Sequence, residues 1–222
     1  MPDHPPGEIT IPMMRESLYA AVVSDALDAL GFHNQSPRVV LQAFSGGGLL
    51  VGRCKTTLWA DMFHEDPKPY ELELAAVDSC HPDEVLIAAA GGSMNSAVWG
   101  ELLSTAARNR GCVGAIVDGA VRDVHRMREM SFPCFARGTL PYDSRDRQRV
   151  VDLDVPVGID GVRFSPGDLV FADVDGVVVV PQQAEAEAIE RAWQKVHAEN
   201  EVRDAICGGM KAGEAFDEFG VL

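Results

Sequence analysis

At 222 residues the chain is long enough for one sizeable domain and barely for two, and its 46% hydrophobic residues suffice for an ordinary core. A formal net charge of -15 argues against nucleic acid and anionic membrane surfaces as partners, because both are gripped through basic side chains. Any anionic substrate must therefore be drawn in by a local cation or a metal ion. Cysteines at 54, 80, 112, 134 and 207 are odd in number and form no CxxC. Cys54, Cys112 and Cys134 lie in apolar runs, the setting of buried reduced thiols. No basic-then-apolar leader and no run near the ~20 apolar residues of a membrane span is present, and the expectation is a cytoplasmic protein.

Residues 1–12, rich in Pro and polar groups, are predicted to be an arm ordered by a neighbouring subunit. Residues 13–30 carry helical spacing that stops at Gly31. A short apolar stretch at 39–41 and the glycines at 46–48 precede an alternating strand at 49–59, then a polar loop at 61–69 and a helix at 71–80. The apolar run at 85–90 is short enough for a buried strand. After the polar loop that follows, a helix is predicted from Gly100, with Leu102, Leu103, Ala106 and Ala107 facing inward and Gly111 at its C-terminus. Residues 113–117 form the next buried strand, Asp118-Gly119 a turn, and Arg122-Asp123 the opening of a short helix. A third strand at 132–136, a basic loop at 137–149 and a β-rich region at 150–180 follow, with Asp160-Gly161 as a hairpin turn. A long helix at 183–206 and a short one at 212–219 end the chain. With no repeat and no low-complexity linker, residues 1–222 are expected to form a single α/β domain with flanking N- and C-terminal helices, residues 183–222 being the helical tail.

Strand, helix, strand, helix across 85–130 brings the loops after the strands to one sheet edge, where ligands bind. Glu101, Arg122 and Asp123 should converge there, although twenty residues separate Glu101 from Arg122. Taken singly, each has a bland explanation. Asp123 suits a helix N-cap, Glu101 a first helical turn, and Arg122 the surface. Taken together they offer more. A carboxylate suits Mg²⁺, a guanidinium grips a carboxylate in a planar fork, and the free N–H groups of Leu102 and Leu103 make an anion site. That is a site for a 2-oxo acid held through a metal. His64, His81 and His197 have no ligand spacing, and His125 is expected to be an exposed helical residue. Gly91-Gly92 has neither a dinucleotide fingerprint nor a P-loop Lys, and no GxSxG frames Ser93 or Ser96. Arg145, Arg147 and Arg149 suit either a solvated loop or a second anion contact.

The segments GELLSTAARNRG, VGAIVDGAVRD, FPCFARGT and PGDLVFADVDGVVVVP resemble the regulator-of-ribonuclease-activity-A-like superfamily, and the similarity runs from SDALDAL at 24–30 to the terminal FGVL. That superfamily includes class II 4-hydroxy-4-methyl-2-oxoglutarate aldolases, which also decarboxylate oxaloacetate. Its signature is an acidic residue, or Gly in the ribonuclease regulators, then twenty residues, then Arg-Asp; here these are Glu101 and Arg122-Asp123. The resemblance implies a layered β/β/α, swivelling-domain-like fold assembled as a homotrimer or homohexamer. It implies a lyase that uses Mg²⁺ or Mn²⁺ on 4-hydroxy-2-oxo dicarboxylic acids and releases pyruvate. Asp123 would be the direct metal ligand, Arg122 would contact the substrate and stabilise the enolate, and the backbone of Gly100, Glu101, Leu102 and Leu103 would hold the pyruvyl carboxylate. A water held by Glu101, or by Glu199 of an adjacent subunit, would take the C4 hydroxyl proton. Arg126 stands where the family often has an acid. The competing expectation is a non-enzymatic inhibitor of ribonuclease E, against which Glu101 at the variable signature position argues.

Overall fold

The computed structural model describes residues 8–220; residues 1–7 of the expected arm and the last two residues of FGVL lie outside them. The helical stretch at 13–30 is two helices, α1 (Ile11–Ser17) and α2 (Ala20–Ala29). Thr10 caps the first with its hydroxyl, and Pro12 sits in its first turn, where a missing N–H costs nothing. Leu18 and Tyr19 are extended between the helices, which aims the Tyr19 ring towards the C-terminal part of the chain.

Strands β1 (Gln42–Ser45) and β2 (Leu50–Asp61) are followed by α3 (Glu71–Asp78), β3 (Glu84–Ala89), β4 (Ala97–Trp99) and α4 (Glu101–Asn109). Next come β5 (Gly114–Val121), α5 (Val124–Met130), β6 (Cys134–Thr139) and β7 (Gln148–Leu153). The hairpin β8 (Val157–Ile159) and β9 (Val162–Phe164), the hairpin β10 (Leu169–Asp173) and β11 (Gly176–Val180), and the helices α6 (Gln182–Cys207) and α7 (Ala212–Phe219) complete the order. The main sheet runs β1-β6-β5-β3-β2-β10-β11, with β4 added to β5 and β7 to β2. Its centre, β6-β5-β3-β2, is parallel, and both margins are antiparallel.

Side chains alternate between the sheet's two faces and so define the layers. Val85, Ile87 and Ala89 of β3 face one way, onto Ile159, Val162 and Phe164 of the β8–β9 hairpin. Leu86 and Ala88 face the other way, into a cluster with Ala76, Val77 and Ala107 of α3 and α4 and Met127 of α5. On the margin, Val170 and Ala172 join the hairpin layer while Leu169 and Phe171 pack on α2 and α6. This is the β/β/α layering expected. Phe164 and Ile159 are fully buried, and at ~1.5–3 kcal/mol for each large apolar side chain they are enough to hold the small hairpin down.

Three local expectations are corrected. Asp118-Gly119 is not a turn but lies inside β5, all of whose residues are buried. The Asp118 carboxylate, which an apolar strand would otherwise strand in the core, is paired with Arg137 of β6. Leu102 does not face inward but is 76% exposed. The segment at 97–99, expected as loop, adds β4 to the end of β5 and carries the chain straight into α4.

Candidate active site

Four parts of the fold meet in one cleft of about 310 Å³, lined by Tyr70, Glu73, Trp99, Gly100, Leu102, Leu103, Arg122, Asp123, Asp143 and Ser144 among others. One wall is the junction of β4 with α4 together with the end of β5. Gly100 is the N-cap of α4 and offers no side chain to cap it. The first-turn N–H groups, those of Leu102 and Leu103 included, therefore have no helical acceptor. Asp123 ends the β5 loop in the left-handed region, φ 57°, which places its carboxylate beside α4. The Glu101 N–H donates to Asp123 Oδ2 at 3.4 Å. A Cβ on Gly100 would stand 2.8 Å from that same oxygen and 3.2 Å from Arg122 Cγ, so only glycine leaves room for the pair. The Arg122 guanidinium lies 3.8 Å from Asp123 and 3.6 Å from Asp143.

The opposite wall comes from the start of α3 and the loop after β6. Tyr70 takes the left-handed conformation, φ 65°, uncommon for so large a residue, and donates its hydroxyl to Asp143 at 2.9 Å. Burial would raise the Asp143 carboxyl, but the Tyr70 hydroxyl, the Arg145 and Ser144 N–H groups and the Arg122 charge outweigh it and hold it below its usual value. The Tyr70 phenol is raised, by burial first and then by its bond to Asp143. Glu73, in the first turn of α3, accepts from Ser144 Oγ at 3.2 Å, and burial pushes its carboxyl up to about 7.

Arg122, Asp123 and the backbone of Gly100, Leu102 and Leu103 are thus brought together. The Glu101 side chain is not part of the lining; its carboxylate accepts from Thr105 Oγ1 at 3.0 Å along its own helix. Glu199 is further off still, bound to the Tyr19 hydroxyl at 2.5 Å and near Lys195 at 3.6 Å, on a different face of the same chain. His125 is exposed. Arg126 pairs with Glu129 at 3.0 Å. None of the three loop arginines lines the cleft: Arg145 pairs with Asp146, Arg147 stacks over the Tyr142 ring, and Arg149 pairs with the buried side chain of Asp66.

Sequence reasoning missed Tyr70, Glu73, Asp143 and Ser144. One signal was present: Glu73 stands at helical spacing from the buried Ala76, Val77 and Cys80, so a carboxyl occupies the inward stripe of α3.

A metal would find Asp123 as the carboxylate beside the start of α4, since Asp143 is engaged by Tyr70 and Arg122 and Glu73 by Ser144, and the described residues hold no group of three or more Asp, Glu, His or Cys placed to hold an ion. One half-exposed carboxylate in an open cleft fits a hard divalent cation that keeps most of its coordination for water and substrate oxygens. It does not fit a closed structural cage such as a zinc site.

The fold and this cleft define a class. The chain belongs to the RraA-like family described as Aldolase/RraA, whose model matches residues 20–179. A Halalkalibacterium halodurans protein named "Putative 4-hydroxy-4-methyl-2-oxoglutarate aldolase" is 34% identical over 146 residues, 65% of this chain and 69% of that protein. Protein DlpA of Legionella pneumophila is 28% identical over 95% of this chain, which spans only 34% of DlpA's own length. Among solved structures, Streptomyces coelicolor RraAS2, described as an unusual member of the RNase ES inhibitor RraA protein family, has a TM-score of 0.73. It is 28% identical, covering 93% of this chain and all of that one.

Proposed function

We propose that the protein is a divalent-metal-dependent carbon–carbon lyase that cleaves 4-hydroxy-2-oxo dicarboxylic acids of the 4-hydroxy-4-methyl-2-oxoglutarate type, releases pyruvate, and decarboxylates oxaloacetate. The observation that carries this reading is the placement of Asp123 and Arg122 against the uncapped start of α4, in one cleft. The N–H groups of Leu102 and Leu103 donate to the carboxylate of the pyruvyl half, aided by the helix dipole. Asp123 would hold Mg²⁺ or Mn²⁺, which when bound supplies Lewis-acid polarisation of the 2-oxo group. Arg122 faces the oxygen on which negative charge develops and stabilises the enolate left by bond cleavage. Both reactions pass through that enolate, so one arrangement serves both. Trp99 and Leu103 close the apolar side of the cleft and limit water at the reacting carbons.

Glu199 lies on a different face from its own chain's cleft, so the part proposed for it, holding a water, would fall to the cleft of a neighbouring copy in the proposed trimer or pair of trimers. The likeness to RraAS2 along nearly the whole chain supports a second reading, a protein inhibitor of a ribonuclease. One assay separates them: pyruvate release from oxaloacetate with Mg²⁺, with and without chelator. Metal-dependent release above the spontaneous rate supports the lyase, and its absence supports the inhibitor.

A further inference from the structure

The proposed cleavage needs a group to take the C4 hydroxyl proton, and the cleft offers few candidates. Asp123 is reserved for the metal. Asp143 is committed to Tyr70 and Arg122 and held below the usual carboxylate range, so it stays charged near neutrality and is a poor proton acceptor. The carboxylates of Glu101 and Glu199 point elsewhere within this chain. Glu73 remains. It lines the cleft, projects from the inward stripe of α3, and forms no ion pair among those of the described residues. Its hydrogen bond from Ser144 fixes one oxygen and leaves the other for a ligand.

We infer that Glu73 is the proton-transfer residue of the aldol cleavage, an assignment that rests on the lyase reading above. In its charged form it removes the proton from the C4 hydroxyl. The C3–C4 bond breaks, its electron pair moves onto the 2-oxo group to give the enolate of pyruvate, and C4 becomes the carbonyl carbon of the departing 2-oxo acid. Glu73 then returns the proton to C3 of the enolate, which restores the enzyme and balances the reaction. The groups facing Glu73 are consistent with proton exchange near neutrality. Burial pushes the carboxyl up to about 7, the Asp143 charge adds to that, and the Ser144 hydroxyl and the Arg122 charge oppose it. A general base is most effective when its pKa lies near the working pH.

Oxaloacetate decarboxylation forms the same enolate without a hydroxyl proton to remove, so the two reactions separate the role. Glu73→Gln and Glu73→Asp are compared with the wild type on both substrates, with the same metal and across pH 5.5 to 9. We expect Glu73→Gln to lower aldol cleavage by about 10²-fold, the scale of a general base, and decarboxylation by no more than about threefold. The rising acid limb of aldol kcat/KM near pH 7 should vanish in Glu73→Gln and persist in the partly active Glu73→Asp. Equal loss in both reactions, or an acid limb unchanged in Glu73→Gln, overturns the assignment while leaving the lyase in place. Wild-type protein that releases pyruvate from neither substrate overturns the lyase reading and the assignment with it.

Discussion

The two walls of the cleft are built by different means. The wall of Gly100, Arg122 and Asp123 is local: a glycine N-cap, an uncapped helix start, and a left-handed aspartate that follows a buried strand. The wall of Tyr70, Glu73, Asp143 and Ser144 is tertiary: a helix and a loop about seventy residues apart, joined by a phenol–carboxylate and a hydroxyl–carboxylate hydrogen bond. The first wall uses backbone to hold charge at an open surface. The second tunes it by setting burial against hydrogen bonds: burial wins at Glu73 and raises it, while at Asp143 the hydrogen bonds and the Arg122 charge outweigh burial and lower it, although Ser144 touches both. On the proposed function, anchoring of metal and substrate would fall to the first, and proton handling to the second.

Substitutions on the first wall should therefore strike both reactions. Asp123→Asn is expected to reduce aldol cleavage and decarboxylation to the spontaneous rate while circular dichroism shows an intact fold; retained activity with unchanged metal dependence would remove Asp123 as the ligand. Arg122→Lys keeps the charge but loses the planar fork, and should cost both reactions a similar factor, roughly 10²-fold, in parallel kcat measurements. A loss confined to one reaction would mean that Arg122 does not act on the shared enolate.

A gentler probe of the same wall is Gly100→Ala. The backbone there, φ -164° and ψ -167°, accepts alanine, so the penalty is the new methyl pressing 2.8 Å from Asp123 Oδ2. Displacing the carboxylate should weaken Mn²⁺ binding about tenfold, the lower end of what disturbing a ligand's supports costs, as measured by titration calorimetry. Unchanged affinity would show that the carboxylate can shift without consequence.

The second wall should also report through stability. Glu73 has its carboxyl raised in the folded state, so its contribution favours the fold below the ordinary carboxylate range and is lost as pH rises through about 7. Glu73→Gln cannot ionise and avoids that loss. Urea denaturation should find the variant more stable than wild type at pH 8 by on the order of 2 kcal/mol, with the advantage gone near pH 4. An advantage that does not change with pH would mean that folding does not raise the Glu73 carboxyl.

The first wall was legible in the sequence because its parts are sequence-local. Gly100 and Glu101 open a helix that Gly111 closes, and Arg122-Asp123 come soon after an apolar run that reads as a buried strand. The β/β/α layering was legible only through the resemblance: β3 is apolar on both faces, so its division between two clusters shows only once the hairpin and the helices are in place. The second wall was not. Pairing Tyr70 with Asp143 requires α3 to lie beside β7 and the loop before it, and nothing local dictates that. Asp118 misled because Asp-Gly is a turn signal, overridden here by Arg137 on the next strand. Glu101 misled in a subtler way. Its position was right, but a side chain at a helix start can turn back along its own helix, and Thr105 one turn on gives it a reason to do so.

The central claim is that this cleft breaks a carbon–carbon bond with a metal held by Asp123. The direct measurement is pyruvate release from 4-hydroxy-4-methyl-2-oxoglutarate by the wild-type protein, first with Mg²⁺, then after chelation, then after Mg²⁺ is restored, beside Asp123→Asn. The account predicts release that stops with chelator, returns with metal and never exceeds background in the variant. Release that persists through chelation, or that Asp123→Asn supports as well as wild type, would contradict it.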